Sequence, residues 1–190
     1  MITDKAVKEA LGKAYVSELL GEPLDADIVK LLSSKGYIDS RNRLTDSGRR
    51  RITVVMAGGV FDIIHPGHVY FLRKARELGD VLVVVVARDV NVLRFKGIQP
   101  IHNESLRREL VSAIRYVDAA ILGDESDLMK TVERVRPDII ALGYDQVHDE
   151  RWLEDESRKR SLNIRVVRLD TLYPNIKSRN IKSDPRFGQF

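Results

Sequence analysis

The sequence predicts an α/β fold: a doubly wound, five-stranded parallel sheet preceded by a small helical module. Three observations carry this. Apolar runs of strand length alternate with helical patterns between residues 52 and 169. The run 81–87 is β-branched and apolar on both faces, as a central parallel strand covered by helices on each side has to be. No two runs are joined by a short turn, so the connections are crossovers rather than hairpins.

Residues 1–50 read differently from the rest and are assigned to a module of their own, with 51–190 as the main domain. Ala6, Ala10, Leu11 and Ala14 recur at helical spacing, and Gly21-Glu22-Pro23 stops that pattern. Asp25 or Asp27 suits the cap of a second helix that carries Ile28, Leu31 and Leu32 on one face. Then follow Gly36-Tyr37-Ile38, a polar turn over 39–42, Leu44-Thr45 and the basic run Arg49-Arg50-Arg51. This ending resembles the last helix and wing of winged-helix domains. A plainer reading is a small helical module packed on the main domain, with the arginines as an interdomain or surface run.

In the main domain, 52–56 is an apolar strand followed by glycines. Residues 66–78 form a helix, with Pro66 in its first turn, Val69, Leu72 and Ala75 at helical spacing, and Gly79 as its stop. After the strand 81–87, helices over 104–116, 127–135 and 150–160 alternate with strands over 119–122, 139–142 and 164–169. Ligands of such sheets bind beyond the carboxyl ends of the strands, where the winding direction reverses.

The composition excludes several function classes. The chain is 43% hydrophobic and 32% charged, enough for a core and a surface to cover it, so disorder is not expected to dominate. It has no cysteine, which removes disulfides, thiolate catalysis and Cys-ligated metals. No apolar stretch approaches the roughly 20 residues of a membrane helix, and the N-terminus is charged throughout, so no membrane or secretory segment is expected. These features fit a cytoplasmic location. The net charge of +4 favours anionic ligands without singling out nucleic acid.

The residues after the first strand are Gly58-Gly59-Val60-Phe61-Asp62-Ile63-Ile64-His65-Pro66-Gly67-His68. Glycines let a ligand approach the backbone, and the helix beginning at Pro66 offers free N–H groups and the positive end of its dipole. His65 and His68 are three apart, so both project from one side of the first turn. Taken alone, the pair also reads as a half-built metal site or as two capping histidines. No third ligand follows at zinc-type spacing, and His102 and His148 have no motif around them.

The whole string resembles the signature of the cytidylyltransferase-like nucleotidyltransferase family, Gly-x-Phe-Asp-x-x-His-x-Gly-His, and Gly59 to His68 matches it without a gap. The resemblance extends over residues 52–181 through Ala87-Arg88-Asp89, Lys96-Gly97, Asn103-Glu104, Arg107 and Arg115-Tyr116-Val117-Asp118. Gly143-Tyr144-Asp145-Gln146 is spelled as in the archaeal branch of that family that makes FAD from FMN. The Ser/Thr motif with which the family closes its site has its counterpart in residues 173–181, although Arg179 and Asn180 replace the usual small polar pair.

The resemblance implies transfer of a nucleotidyl group: an acceptor phosphate attacks the α-phosphorus of a nucleoside triphosphate, and pyrophosphate leaves. His65, His68 and Lys96, the last on a glycine-bordered loop, would be the catalytic groups. Gly59, Val60, Phe61, Pro66, Gly67, Asp145, Tyr173, Lys177, Ser178 and Arg179 would join the histidines around the nucleotide. Asp62, Asp89, Asn103, Arg107 and Tyr144 would face the acceptor. Mg²⁺ would ride on the phosphates rather than in a protein cage. The implied substrates are ATP and FMN, or CTP and a polyol or amino-alcohol phosphate, and a homodimer is expected.

Duller readings stand beside these. Lys96 also reads as a solvated lysine, Arg107 as a helix-surface ion-pair partner, Asp145 as a turn cap, and Tyr144 and Tyr173 as half-buried aromatics. From another class comes a nucleotide-sensing DNA-binding regulator, suggested by the winged-helix likeness. Against it, residues 28–36 carry only Lys30 and Lys35 as basic groups, so nucleic acid is not the expected partner.

Overall fold

A computed structural model describes residues 3–185. Its sheet has five strands, all parallel: β1 (Val54–Gly59), β2 (Val81–Val86), β3 (Ala119–Leu122), β4 (Ile139–Leu142) and β5 (Arg165–Arg168). Their order is β3-β2-β1-β4-β5, so the winding reverses between β1 and β4. The doubly wound sheet expected from the alternating pattern is therefore present.

Alternation along each strand decides which residues meet which helices. Val54 and Met56 of β1, Val81, Val83 and Val85 of β2, and Ile140 and Leu142 of β4 face one layer. That layer holds α1 (Asp4–Leu20), α7 (Leu128–Val135) and α8 (Glu150–Lys159). Val55, Ala57, Leu82, Val84 and Val86 face the other, built from α4 (Pro66–Arg76) and α6 (Glu104–Ser112). No described helix is long and apolar enough to cross a membrane.

Residues ahead of β1 form α1, α2 (Ala26–Ser33) and the short α3 (Asp46–Arg49), with one antiparallel bridge between Ile38 and Leu44. Thr3 caps α1 and Asp25 caps α2. Leu11, Ala14 and Leu32 are fully buried in the same cluster as the sheet residues above. Polar contacts reinforce the docking: the Tyr15 hydroxyl donates to the Val135 carbonyl at 2.5 Å. Arg49 pairs with Asp138 at 2.9 Å and donates to the Arg136 carbonyl at 2.8 Å. The first of the three arginines thus joins the N-terminal helices to the sheet.

Several boundaries differ from expectation: α6 stops at Ser112 rather than at 116, and two further differences reach the site. β1 runs on through Gly58 and Gly59, which pair in register with Val85 and Val86; two glycines look like a strand end in sequence yet continue the ladder here. Residues 89–96, expected as a loop carrying Lys96, form the helix α5 (Asp89–Lys96), ended by Gly97 at φ 68°. Only Val92 of that helix is buried, so the amphipathic period that reveals a helix in sequence is missing.

Because Leu11 is buried in a core shared with the sheet, Leu11→Ala is expected to cost about 2–5 kcal/mol of global stability, read by urea denaturation. A loss confined to a separate early transition would show instead that the N-terminal helices fold apart from the sheet.

Candidate active site

The crevice outside the carboxyl ends of β1 and β4 is where this topology places a ligand, and the motif residues converge there. His65 is the N-cap of α4, in extended conformation and without a side-chain capping bond, and Pro66 opens the helix. The His65 and His68 rings stack with centroids 3.8 Å apart and planes at 27°. Phe61 lies against His68, with centroids 5.2 Å apart.

That arrangement explains the glycines of the motif. Phe61 is buried and its backbone is left-handed, at φ 54°, a conformation that bulky residues rarely adopt. A Cβ on Gly59 would come within 2.8 Å of the Phe61 ring, and one on Gly67 within 3.1 Å of the His65 ring. Glycine at 59 therefore lets the chain turn sharply after β1 and slide the phenyl ring beneath the histidines.

Burial lowers the pKa of His65. Burial, and next the neighbouring His65, lower that of His68 to about 4. Both rings are thus neutral near pH 7. Both Nδ1 atoms are buried without a hydrogen bond of normal geometry, which leaves Nε2 as the nitrogen for a ligand; the Ile63 carbonyl lies near His68 and only partly offsets the effect of its burial. Lys96, exposed at the end of α5, is close enough for its charge to bear on His68.

The residues assigned to the acceptor have mixed positions. Arg107 is fully buried. Its guanidinium donates to the Ala87 carbonyl and Asp89 Oδ1, both at 2.7 Å, to the His102 carbonyl at 3.0 Å, and to the Val60 carbonyl. It ties together the loops after β1 and β2 and the start of α6, and in this arrangement it has no surface to offer an acceptor. Asp89 accepts from Arg107 and from the Glu104 N–H at 3.1 Å, while Glu104 accepts from the Asp89 N–H at 2.7 Å; each carboxylate caps the other's helix. Asn103 caps α6, accepting from the Leu106 N–H at 3.0 Å.

Asp62 is buried and pairs with Lys182. Burial works to raise its pKa, but Lys182 and the backbone N–H groups of His102 and Ile101 bring it below the ordinary carboxylate value. Lys182 belongs to α9 (Ser178–Lys182), whose first residue donates from its hydroxyl to the Ile63 carbonyl at 3.1 Å. The C-terminal segment thereby lies across the motif loop.

Other contacts bind that segment to the loop after β4. Lys177 pairs with Asp145 at 2.7 Å and stands over the Tyr144 ring at 5.3 Å; these partners raise its pKa. The Tyr144 hydroxyl donates to the Pro174 carbonyl at 3.0 Å. Tyr173 meets Tyr70 edge-on at 6.1 Å. The side chain of Arg179 lies outside the described residues.

Sequence reasoning passed over four contributors. Gln146 donates to the Gly58 carbonyl at 2.7 Å and accepts from the Gly143 N–H at 3.2 Å, which locks the loop after β4 against β1. Arg168 donates to the carbonyls of Gly143, Gln146 and His148 at 2.8–3.0 Å. Lys182 neutralises Asp62, and His102 donates from Nδ1 to the Asp62 carbonyl at 3.0 Å. Gln146 stands inside the quoted Gly-Tyr-Asp-Gln string, which was the signal available for it. The other three lie 20 to 120 positions from their partners and carry no local pattern.

Comparison with known proteins agrees with this geometry. An FAD synthase of Aciduliprofundum boonei is 62% identical over 115 residues, covering 60% of this chain and 76% of that protein. A solved structure from Thermoplasma volcanium GSS1, described as a lipopolysaccharide core biosynthesis protein, is 49% identical with a TM-score of 0.61, over 63% of this chain and 98% of that one. A pantoate-beta-alanine ligase from Francisella tularensis, 16% identical with a TM-score of 0.54 over 83% of this chain and 72% of its own, shares the fold. The model of the cytidylyltransferase-like family matches residues 56–184, and this chain belongs to that family.

Proposed function

We infer that the chain is an FMN adenylyltransferase, an FAD synthase, joining ATP and FMN into FAD with release of pyrophosphate. The observation that carries the reaction is the stacked, neutral pair His65–His68 at the start of α4, opposite a lysine-bearing segment held on the loop after β4. The identity with archaeal FAD synthases supports FMN as the acceptor.

The FMN phosphate oxygen attacks the α-phosphorus, a new P–O bond forms, and the bond to the β-phosphate oxygen breaks. Charge grows on the equatorial and leaving oxygens, so catalysis consists of positioning and electrostatic stabilisation. His65 and His68 donate from Nε2 to the α- and β-phosphate oxygens. The free N–H groups of the first turn of α4 add donors of the same sign. Lys96 from α5 and Lys177 from the C-terminal segment bring point charges to the flanks, and Ser178 fixes that segment over the motif.

The side chains assigned to the phosphates are imidazoles and lysines, a set that fits Mg²⁺ arriving on the triphosphate, where the ion would supply charge neutralisation. Residues 1–50 serve in this reading as a cover for the sheet, supported by the burial of Leu11, Ala14 and Leu32 in its core. The exposed apolar side chains of Val90, Leu93 and Phe95 on α5 support a homodimer. A composition free of cysteine supports a cytoplasmic location.

Purified protein given FMN, ATP and Mg²⁺ is expected to form FAD and release pyrophosphate stoichiometrically, read by chromatography. Turnover with CTP and glycerol phosphate in place of FMN and ATP would overturn the acceptor assignment. His65→Asn and His68→Asn are each expected to lower kcat by about a hundredfold or more, the cost of removing one transition-state donor. In light scattering, the mass should be twice that of one chain.

The buried histidines also set an acid limit. As pH falls through 6.5 the unfolded chain protonates His68, whereas the folded chain keeps it neutral down to about 4. This contribution to stability is complete above pH 6.5 and is lost between about 6.5 and 4. The thermal midpoint of wild type should fall across that window, and His68→Asn should remove part of the slope.

A further inference from the structure

His102 precedes the cap of α6 and has no place in the family string, yet its position is determined at three points. The ring Nδ1 lies 3.0 Å from the main-chain carbonyl of Asp62. A carbonyl can only accept, so Nδ1 carries the proton. The backbone N–H of His102 donates to Asp62 Oδ1 at 3.1 Å, and its carbonyl accepts from the fully buried Arg107 at 3.0 Å. The side chain nevertheless remains 42% exposed, and its Nε2 makes no hydrogen bond to a described residue. Ring, tautomer and backbone are all fixed, and one nitrogen is left to present.

We propose that His102 binds the phosphate of the acceptor through Nε2. Asp62 Oδ1 stands 3.8 Å from Nδ1, and Lys182 and backbone N–H groups keep that carboxylate ionised, so the Nδ1 proton faces two acceptors. Nε2 is left with its lone pair, and a phosphate monoanion brings the one proton this contact needs: its hydroxyl donates to Nε2 while its unprotonated oxygens stay free to attack phosphorus.

The placement suits the geometry of the reaction. In-line displacement puts the attacking phosphate and the departing pyrophosphate on opposite sides of the α-phosphorus. Lys177 is held on the β4 side by Asp145. His102 is joined through Arg107 to Ala87 and Asp89, which follow β2 on the other side of β1. Phe61 touches His68, and the next residue, Asp62, touches His102.

The proposal rests on the adenylyltransferase reading for the identity of the acceptor, and its test separates the two. His102→Asn keeps an amide N–H near the position of Nδ1, for the bond to Asp62, and removes Nε2. His102→Gln carries an amide out to the position of Nε2. Steady-state kinetics would be measured with FMN and ATP, alongside flavin-fluorescence titrations of FMN and of riboflavin, which lacks the phosphate.

With His102→Asn, KM for FMN and the FMN dissociation constant should each rise about tenfold or more, the size of one lost charge-assisted hydrogen bond. KM for ATP and riboflavin affinity should stay as in wild type, and His102→Gln should recover part of the FMN affinity. Parallel loss of FMN and riboflavin binding, or an equal rise in KM for ATP, would show that His102 only braces its loop and would overturn the proposal. If wild type ignores FMN but uses CTP with glycerol 3-phosphate, the acceptor reading fails. The same kinetic split is then sought on glycerol 3-phosphate, and its absence sinks the role of His102.

Discussion

The site depends on a single awkward residue. Phe61 holds a left-handed backbone while its ring is buried against His68. A conformation of that kind costs on the order of 1–3 kcal/mol and persists only where its surroundings enforce it. Here they do: Gly59 leaves space for the phenyl ring, and the Val60 carbonyl is held by Arg107 on one side of the turn. Ile63 is held by Ser178 on the other. Relaxing Phe61 to an ordinary conformation would redirect Asp62 away from His102 and Lys182 and remove the floor under the histidines. The strain therefore fixes where His65, His68 and Asp62 stand.

Arg107 is the second fixed point. A guanidinium with no exposed surface would be ruinous without partners, since burying an unpaired charge costs several kcal/mol. Its partners are three carbonyls and one carboxylate, so most of its donors are satisfied. Because those acceptors come from the loops after β1 and β2 and from the approach to α6, one side chain sets the spacing of three segments. Lysine could not replace it: an ammonium has the charge but not the planar fork that reaches several carbonyls at once.

Much of this architecture was legible in the sequence. The double-faced run of β2 and the alternation of periods identify the sheet, and the motif locates the histidines and the turn before them. What escaped has a common physical cause. α5 escaped because only Val92 of that helix is buried, leaving no periodic trace. The resemblance assigns Arg107 to the acceptor and its helix pattern suggests an exposed ion pair, whereas the side chain is fully buried; arginine is so seldom buried that sequence gives no reason to expect it. His102 and Lys182 take their meaning from Asp62, 40 and 120 positions away, and nothing next to them in the chain records that distance. Local spacing reports local geometry, whereas these residues act through contacts made only by the folded chain.

The two lysines of the C-terminal segment show how such contacts divide labour. Lys182 pairs with a buried carboxylate, and Lys177 with one that is nearly half exposed. Withdrawing Lys182 would leave the Asp62 charge buried with only backbone donors, a heavy penalty. The Lys177–Asp145 pair is a surface ion pair of the kind whose net contribution is about 0–1 kcal/mol. Breaking the Lys177–Asp145 pair therefore costs little, so Lys177 is the lysine of this segment that can change partners, while Lys182 and Ser178 hold the segment across the motif.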